Sequence, residues 1–359
     1  MKILIAAGGT GGHIWPALSF NQWLLRKHGH VKSLFLSGSR DMERELYHHA
    51  GVEPMVLPVK GSPLSGPLAS RVSRTMDLAR SIGEVKRAVR EFSPHICLLF
   101  GGYVSVPAMF VSKMKGVPIL LHEPNARAGR VTCIAAKARI PVCTGWDVCE
   151  PLPSGGFTPV GVPVRNLRRL PPEEAWKLLG YDLDLPPSPR VLVLGGSLGS
   201  DPMTVLFSKV SAERLFRSRN FLLVGSSERA VRTSRNLWLL PREWEIDLLY
   251  SIADGVVSRA GASTLGELVV FGLPSVIIPW RGAADDHQAH NARVFSEKGF
   301  GSIWEIDNGI HENLAFMIDY ELKRARLGQA FQFPGRGTGE ACEKIWELLQ
   351  QIAEGRGRN

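Results

Sequence analysis

A chain of 359 residues exceeds what one ordinary hydrophobic core organises and points to two domains. Its 44% hydrophobic and 21% charged residues exclude a disordered or fibrous chain. The net charge of +9 sits in one place: residues 60–139 carry thirteen Lys and Arg against four acids, and the remainder balances.

The chain enters an apolar run at once, without a basic leader or cleavage site, so no signal peptide is expected. Candidate strands Ile3–Ala7, Val31–Leu36, Ile96–Phe100 and Val117–Leu121 alternate with helical patterns over Pro16–Lys27, Asp41–Ala50, Ser70–Glu91 and Val106–Lys115. Gly29, Gly51 and Gly116 stand where helix ends would place them. The uncharged run Ser93–Ser112 nearly has the length of a membrane span. Pro94, Gly101-Gly102 and Pro107 interrupt it, which favours strand, glycine turn and helix. Composition shifts at Pro151–Gly156, and Val160-Gly-Val-Pro-Val-Arg165 marks the crossing into a second domain. After the connector Pro186-Pro187-Ser188-Pro189 come strands at Arg190–Leu194, Phe221–Val224, Gly255–Ser258, Ser275–Pro279 and Gly301–Trp304. Near-continuously apolar strands alternating with helices mean an α/β chain with parallel sheets covered on both faces. The expected division is 1–160 and 161–338, with a last helix over 339–355 packing back on the first domain. Five cysteines (Cys97, Cys133, Cys143, Cys149 and Cys342), odd in number and without metal-type spacing, fit a reducing cytoplasm.

Gly8-Gly9-Thr10-Gly11-Gly12-His13 follows the first strand and opens a helix. A buried strand feeding such a turn aims backbone N–H groups at an anion, and the glycines allow close approach. The spacing is not the dinucleotide fingerprint, so phosphate, pyrophosphate and sugar ligands stay open beside a plain tight turn. Gly195-Gly196-Ser197-Leu198-Gly199-Ser200 repeats the arrangement after Leu194, which implies two nucleotide-type halves facing one cleft. Gly101-Gly102-Tyr103-Val104-Ser105 and Leu121-His122-Glu123-Pro124-Asn125 close two further strands. Ligands of open parallel sheets bind outside the carboxyl ends of the strands, so His13, Tyr103, His122, Glu123 and Asn125 are expected to converge. The plainer reading of His122-Glu123 is a polar pair that caps the following helix. In the second half, Ser258–Glu267 and Asp285-Asp286-His287-Gln288-Ala289-His290-Asn291 each follow a strand and open a helix, a positive dipole end. Thr264-x-x-Glu267 fits a capping box, while a carboxylate there is equally able to grip a ribose diol. His287 and Gln288 are candidates for sugar hydroxyls, or are simply solvated.

The basic region calls for an anionic partner: nucleic acid, anionic lipid or a phosphorylated substrate. Nucleic-acid motifs and aromatic interleaving are absent there, so no nucleic-acid partner is expected. Leu64, Leu68, Val72 and Met76 recur at four-residue steps among Arg71, Arg74 and Arg80. That pattern suits a membrane interface and equally an ordinary amphipathic helix.

Taken together, Gly8–His13, Gly101–Ser105, His122-Glu123-x-Asn125, Gly161-x-Pro-Val-Arg165, Gly195-Gly-Ser197-x-Gly199, Ala262–Glu267 and Asp285-x-x-Gln288-x-x-Asn291 stand in a specific order. From residue 2 to about residue 305 the chain resembles the MurG family of peptidoglycan GlcNAc transferases. The resemblance implies GT-B architecture, two facing Rossmann-like domains with parallel sheets and an interdomain cleft, and no metal or other cofactor. It implies transfer of GlcNAc from UDP-GlcNAc to the muramyl 4-hydroxyl of lipid I (undecaprenyl-pyrophosphoryl-MurNAc-peptide), giving lipid II with inversion. The enzyme would sit peripherally on the cytoplasmic face of the plasma membrane, touching anionic lipid through the Leu64–Arg90 region.

By the same resemblance, Arg165, Ser197, Glu267, His287 and Gln288 hold the UDP-sugar, with backbone N–H groups of Ala262, Ser263 and Thr264 at the pyrophosphate. Thr10, Gly11, Gly12 and Asn125 face the transferring sugar, and Gly9, Tyr103 and His122 the acceptor. The sequence departs from the family pattern at His287 and Leu198, where glutamines are common, at Thr204, where asparagine is expected, and at Pro124. A short Phe221–Asp254 segment leaves the uracil contact unassigned. Inverting transfer needs a base on the acceptor side. His13, at a helix N-terminus whose dipole disfavours the imidazolium, is one candidate, and Glu123 is its rival. A histidine that only caps its helix or binds phosphate is the plain alternative. Two other functions stay open: an inverting GT-B transferase with another UDP-sugar or a small acceptor, and a non-catalytic lipid-pyrophosphate binder.

Overall fold

The computed structural model describes residues 1–59, 68–196, 201–282, 286–306, 310–327 and 339–355, with 68–72 and 201 described by backbone alone. Two compact units divide the chain: Met1–Arg165 with Gly337–Asn359, and Asn166–Arg336.

In the first unit the strands are β1 (Lys2–Ala6), β2 (Lys32–Ser37), β3 (Met55–Val56), β4 (Ile96–Leu99), β5 (Ile119–Glu123), β6 (Val142–Thr144) and β7 (Thr158–Pro159). Its helices are α1 (Gly11–Lys27), α2 (Asp41–His49), α3 (Leu68–Phe92), α4 (Ser105–Met114) and α5 (Arg130–Lys137). The strands form one parallel sheet in the order β3-β2-β1-β4-β5-β6-β7. Ile3, Leu4, Ile5 and Ala6 are all fully buried, as expected of a strand covered on both faces. One core layer joins Leu4, Ala6 and Leu99 to Val104, Ala108 and Val111 of the α4 region and Val85 and Val89 of α3. The chain turns from β1 to one side and returns to the other at β4. The switch point of this sheet therefore lies between β1 and β4, at the carboxyl edge where open parallel sheets bind ligands.

The second unit holds β8 (Arg190–Leu194), β9 (Asn220–Val224), β10 (Val231–Ser234), β11 (Leu237–Leu240), β12 (Gly255–Ser258), β13 (Ser275–Ile277) and β14 (Ser302–Ile303). Around them lie α6 (Pro172–Leu179), α7 (Asp201–Val210), α8 (Ile246–Ile252), α9 (Ala262–Phe271), α10 (His287–Glu297) and α11 (His311–Arg326). The sheet order is β10-β11-β9-β8-β12-β13-β14, parallel except for the β10–β11 hairpin at the edge. Its switch point falls between β8 and β12. The last helix, α12 (Glu340–Gly355), lies on the first unit, where Trp346 stacks on His28 with ring centroids 4.6 Å apart.

Several boundaries differ from the sequence reading. Helix α1 begins at Gly11, because Thr10 stays extended (φ −144°) while its carbonyl accepts the His13 and Ile14 N–H groups. Pro16, which reads as a first helical residue, sits in the second turn. His122 and Glu123 belong to β5 itself rather than to the loop after it. On α3, Leu64 lies outside the described residues and the side chains of Leu68 and Val72 are not described. Met76 is 54% exposed, and Leu78, Ile82, Val85 and Val89 form the face that packs on the core.

Candidate active site

His13 is the third residue of α1, and its ring rests on the backbone of Gly101 and Gly102. A Cβ at Gly101 would stand 2.9 Å from His13 Cε1 and 3.0 Å from Nδ1. A Cβ at Gly102 would overlap the Gly8 carbonyl oxygen. Both residues have positive φ (84° and 72°), so close approach and backbone conformation demand glycine at once. The loops after β1 and β4 thus meet with the imidazole seated against them. The Tyr103 ring covers Gly9, its Cε1 3.4 Å from where a Cβ would be. Its hydroxyl donates to Glu43, and burial followed by that contact raises the phenol pKa, which keeps the proton in place.

His122 is fully buried against Phe100, with ring centroids 5.4 Å apart. Its Nε2 lies 2.9 Å from the Gly161 carbonyl oxygen, which can only accept, so Nε2 carries the proton. Nδ1 is buried without a hydrogen-bond partner among the described residues. Burial pushes the His122 pKa down to about 4; the Gly161 bond and Glu123 oppose this, and His13 adds to it. A ring so enclosed is placed to hold the chain at Gly161 rather than to touch an acceptor.

Glu123, 1% exposed, has each oxygen taken twice. Oε1 accepts from the Asn125 backbone N–H (3.1 Å) and side-chain amide (2.8 Å). Oε2 accepts from the Gly129 N–H (3.0 Å) and the Thr132 hydroxyl (2.5 Å). Gly129 is the N-cap of α5, so the carboxylate caps that helix from β5, the plainer of the readings open for it. Arg165 stacks on Trp15 of α1, its guanidinium carbon 3.9 Å from the ring centroid.

In the second unit α9 starts at Ala262, with Gly261 as N-cap. Ala262, Ser263 and Thr264 fill its first turn, where backbone N–H groups have no helical partner. Thr264 is therefore inside the helix, and Thr264-x-x-Glu267 does not cap its start. Glu267 is 3% exposed and accepts from the Tyr250 hydroxyl at 2.9 Å. The Gln288 carboxamide oxygen accepts from the N–H groups of Trp280 (3.0 Å) and Ala260 (3.3 Å). Asn291, fully buried, donates to the Ala260 carbonyl at 3.0 Å. His287 is the first residue of α10, half-buried beside Asp286, whose φ is 55°. Buried Arg259 donates to the carbonyls of Ile278 (3.2 Å) and Pro279 (3.3 Å), and burial lowers its pKa. Ser197 lies outside the described residues.

The first half of the chain matches the glycosyltransferase family 28 N-terminal domain over residues 3–143. The second half matches the family 28 C-terminal domain over residues 190–319. A UDP-N-acetylglucosamine--N-acetylmuramyl-(pentapeptide) pyrophosphoryl-undecaprenol N-acetylglucosamine transferase of Stutzerimonas stutzeri is 34% identical, over 83% of this chain and 83% of its own length. The chain belongs to the MurG family. A Desulforudis audaxviator relative of the same description is 29% identical over 98% of this chain and 99% of its own. The crystal structure of Acinetobacter baumannii MurG has a TM-score of 0.67 at 20% identity, covering 98% of this chain and 99% of that one, and shows the same fold.

Set beside the MurG motifs, the first-unit site brings Gly9, Thr10, Gly11, Gly12, His13, Tyr103, His122, Glu123 and Asn125 to one sheet edge. The second-unit site brings Ala262–Thr264, Glu267, His287 and Gln288 to another. Four residues that hold these groups, Arg40, Glu43, Trp15 and Tyr250, belong to no motif and act from other elements. Among the described residues, no cluster of three or more His, Cys, Asp or Glu is placed to hold a metal ion.

Proposed function

We propose that this chain transfers GlcNAc from UDP-GlcNAc to the muramyl 4-hydroxyl of lipid I, with inversion, and so makes lipid II. The observation that carries the reading is the His13 ring seated at the switch point of a MurG-family chain. His13 takes the acceptor hydroxyl proton as that oxygen attacks the anomeric carbon from the face opposite the departing UDP. Glu123 is unsuited to this work, because four donors already occupy its two oxygens and leave no acceptor position open to a substrate hydroxyl. The second unit holds most of the donor: Glu267 takes the ribose diol, and Ser197, His287 and Gln288 the rest, with Arg165, the last residue of the first unit, adding its guanidinium. First-turn N–H groups of α9 and the positive end of that helix stabilise the charge growing on the leaving diphosphate. On the first unit, Gly9 and Tyr103 border the acceptor, and Thr10, Gly11, Gly12 and Asn125 the sugar in transit. His122 serves by fixing Gly161.

No described helix is long and apolar enough to cross a membrane. Reaching a lipid-borne acceptor then requires surface docking on the cytoplasmic face of the membrane. The exposed Met76 of α3, and Phe110 and Met114 of the adjacent α4, lie in the basic region and suit that role. Anionic vesicles should bind the wild type with strong salt dependence, and R71E/R74E/R80E should not bind them while retaining activity on detergent-solubilised acceptor. Equal sedimentation of both proteins would reject the docking face. A panel of UDP-sugars against lipid I and a soluble acceptor tests the reaction: only UDP-GlcNAc with lipid I should give efficient product, and preference for another pair would overturn the assignment.

A further inference from the structure

Beneath the first glycine loop lies a carboxylate that no sequence motif includes. Glu43, in the first turn of α2, is fully buried. Its Oε1 accepts the Gly9 N–H at 2.9 Å and the Tyr103 hydroxyl at 2.5 Å. Arg40, at the N-cap of α2, donates to the Gly9 carbonyl at 3.2 Å and stacks over the Tyr103 ring at 5.0 Å. The Gly9 residue is therefore gripped at both its N–H and its carbonyl from one helix. The space is cut for this carboxylate: a Cβ at Gly38 would overlap it, and one at Gly8 would stand 3.2 Å from Oε2.

Gly9 precedes His13 by four residues, and Tyr103 follows the two glycines that carry the His13 ring. One carboxylate oxygen thus ties together the two loops that fix the imidazole. We infer that Glu43 is a positioning residue for the transfer reaction, setting the seat of His13 by joining the Gly8–Gly12 loop to the Gly101–Tyr103 loop. The inference rests on the function proposed above for His13. Glu43, fully buried beneath the loops, acts only through their geometry, so its loss shows in turnover rather than in donor affinity.

The test compares Glu43→Ala, Glu43→Gln, Tyr103→Phe and the Glu43→Ala/Tyr103→Phe pair. Readouts are steady-state kinetics with UDP-GlcNAc and a lipid I analogue, and hydrogen exchange at the Gly9 amide. Glu43→Ala should lower kcat about tenfold or more, with donor KM within about threefold, because a misplacement near 1 Å costs up to about 10²-fold. Gln keeps an oxygen able to accept both bonds and should restore part of the rate. The double variant should be little worse than Glu43→Ala alone, since both changes cut one tie. Gly9 amide exchange should quicken in Glu43→Ala and stay slow in Glu43→Gln.

A folded Glu43→Ala protein with kcat within about threefold of wild type overturns the inference, as does strict additivity in the double variant. If Glu43→Ala does not fold, Glu43→Gln and Tyr103→Phe decide, and wild-type kcat in both overturns it. Should the wild type itself fail to transfer GlcNAc, the proposed function falls, while the exchange measurement still reports whether Glu43 ties the loop.

Discussion

Gly101→Ala is the sharpest perturbation of the His13 seat. The new methyl carbon would lie 2.9 Å from His13 Cε1, against an optimum of about 3.5 Å for carbon pairs, so the ring must yield by about 0.6 Å. The positive φ of 84° adds about 1–2 kcal/mol of backbone strain, and crowding in a packed site a further 1–3 kcal/mol or so. Strain alone can be separated from displacement by a control. Gly180, the C-cap of α6, has φ 67° and nothing within 4 Å of an added Cβ. Gly180→Ala should therefore lose about 1–2 kcal/mol of stability and leave turnover unchanged. Gly101→Ala should lose more stability and also lower kcat by about 10–100-fold, with donor KM nearly constant. Melting curves and steady-state kinetics on both variants suffice. If Gly101→Ala costs no more stability than Gly180→Ala and keeps wild-type kcat, His13 does not work from this seat.

His13→Ala should lower kcat by about 10²–10⁴-fold with little change in donor KM, and the acidic limb of the pH–rate profile should go with it. A retained limb would make His13 structural. Glu267→Ala should raise donor KM strongly, since a ribose diol loses a charge-assisted partner worth about 1.5–3 kcal/mol; Tyr250→Phe, which removes one bond from the buried carboxylate, should raise it less, and unchanged KM in both would remove Glu267 from the donor site. His122 predicts a stability change with a definite sign. Its folded pKa is about 4, below its ordinary value, so the unfolded chain binds the extra proton between the two. Stability contributed by the neutral ring is full above the ordinary histidine pKa and falls as pH drops toward 4, with a slope near 1.4 kcal/mol per pH unit. Chemical denaturation of wild type and His122→Gln across that window should show the slope in the first alone.

The alternation of apolar strands and helices made both sheets legible, because strands buried on both faces must be continuous apolar runs, as Ile3–Ala6 are. The glycine loops were legible as places of close approach, and His13 does press on Gly101-Gly102. What escaped is what arrives from afar. Glu43 stands thirty-four residues from Gly9 and sixty from Tyr103, inside a segment that reads as an ordinary polar helix start. Tyr250 reaches Glu267 across α8 and α9, with nothing local to announce it. Motif membership also says little about what a side chain touches: His122 spends its proton on a backbone carbonyl, and Glu123 is consumed by capping. Short elements such as β6 and the β10–β11 hairpin were missed because three or four residues carry too little periodicity to stand out.

The two units solve one problem with different chemistry. Each holds still the residue two places ahead of a helix start, whose first-turn N–H groups have no helical partner. In the first unit the residue Gly9 is gripped by a charged pair, Glu43 on its N–H and Arg40 on its carbonyl. In the second, the residue Ala260 is gripped by neutral amides, Gln288 on its N–H and Asn291 on its carbonyl. The difference follows from what each helix is proposed to meet. A carboxylate at half-buried Gln288, held against the Ala260 N–H just ahead of α9, would add a second negative charge to that of Glu267 and repel a diphosphate at the helix start. A carboxamide makes the same two bonds without a charge, and the nearby Arg259 guanidinium, kept on the carbonyls of Ile278 and Pro279, adds charge of the favourable sign. In the first unit the Glu43 carboxylate is paired with Arg40 around Gly9, so the charged grip adds little net charge at the loop. On this reasoning Gln288→Glu, nearly isosteric, should weaken donor binding by more than Gln288→Ala does. The alanine variant loses the backbone bonds, whereas the glutamate keeps an acceptor and adds the repulsion. Donor KM measured for the two variants in low and high salt checks it, and a glutamate variant that binds UDP-GlcNAc as well as the wild type would show that charge at Gln288 is not what the second unit avoids.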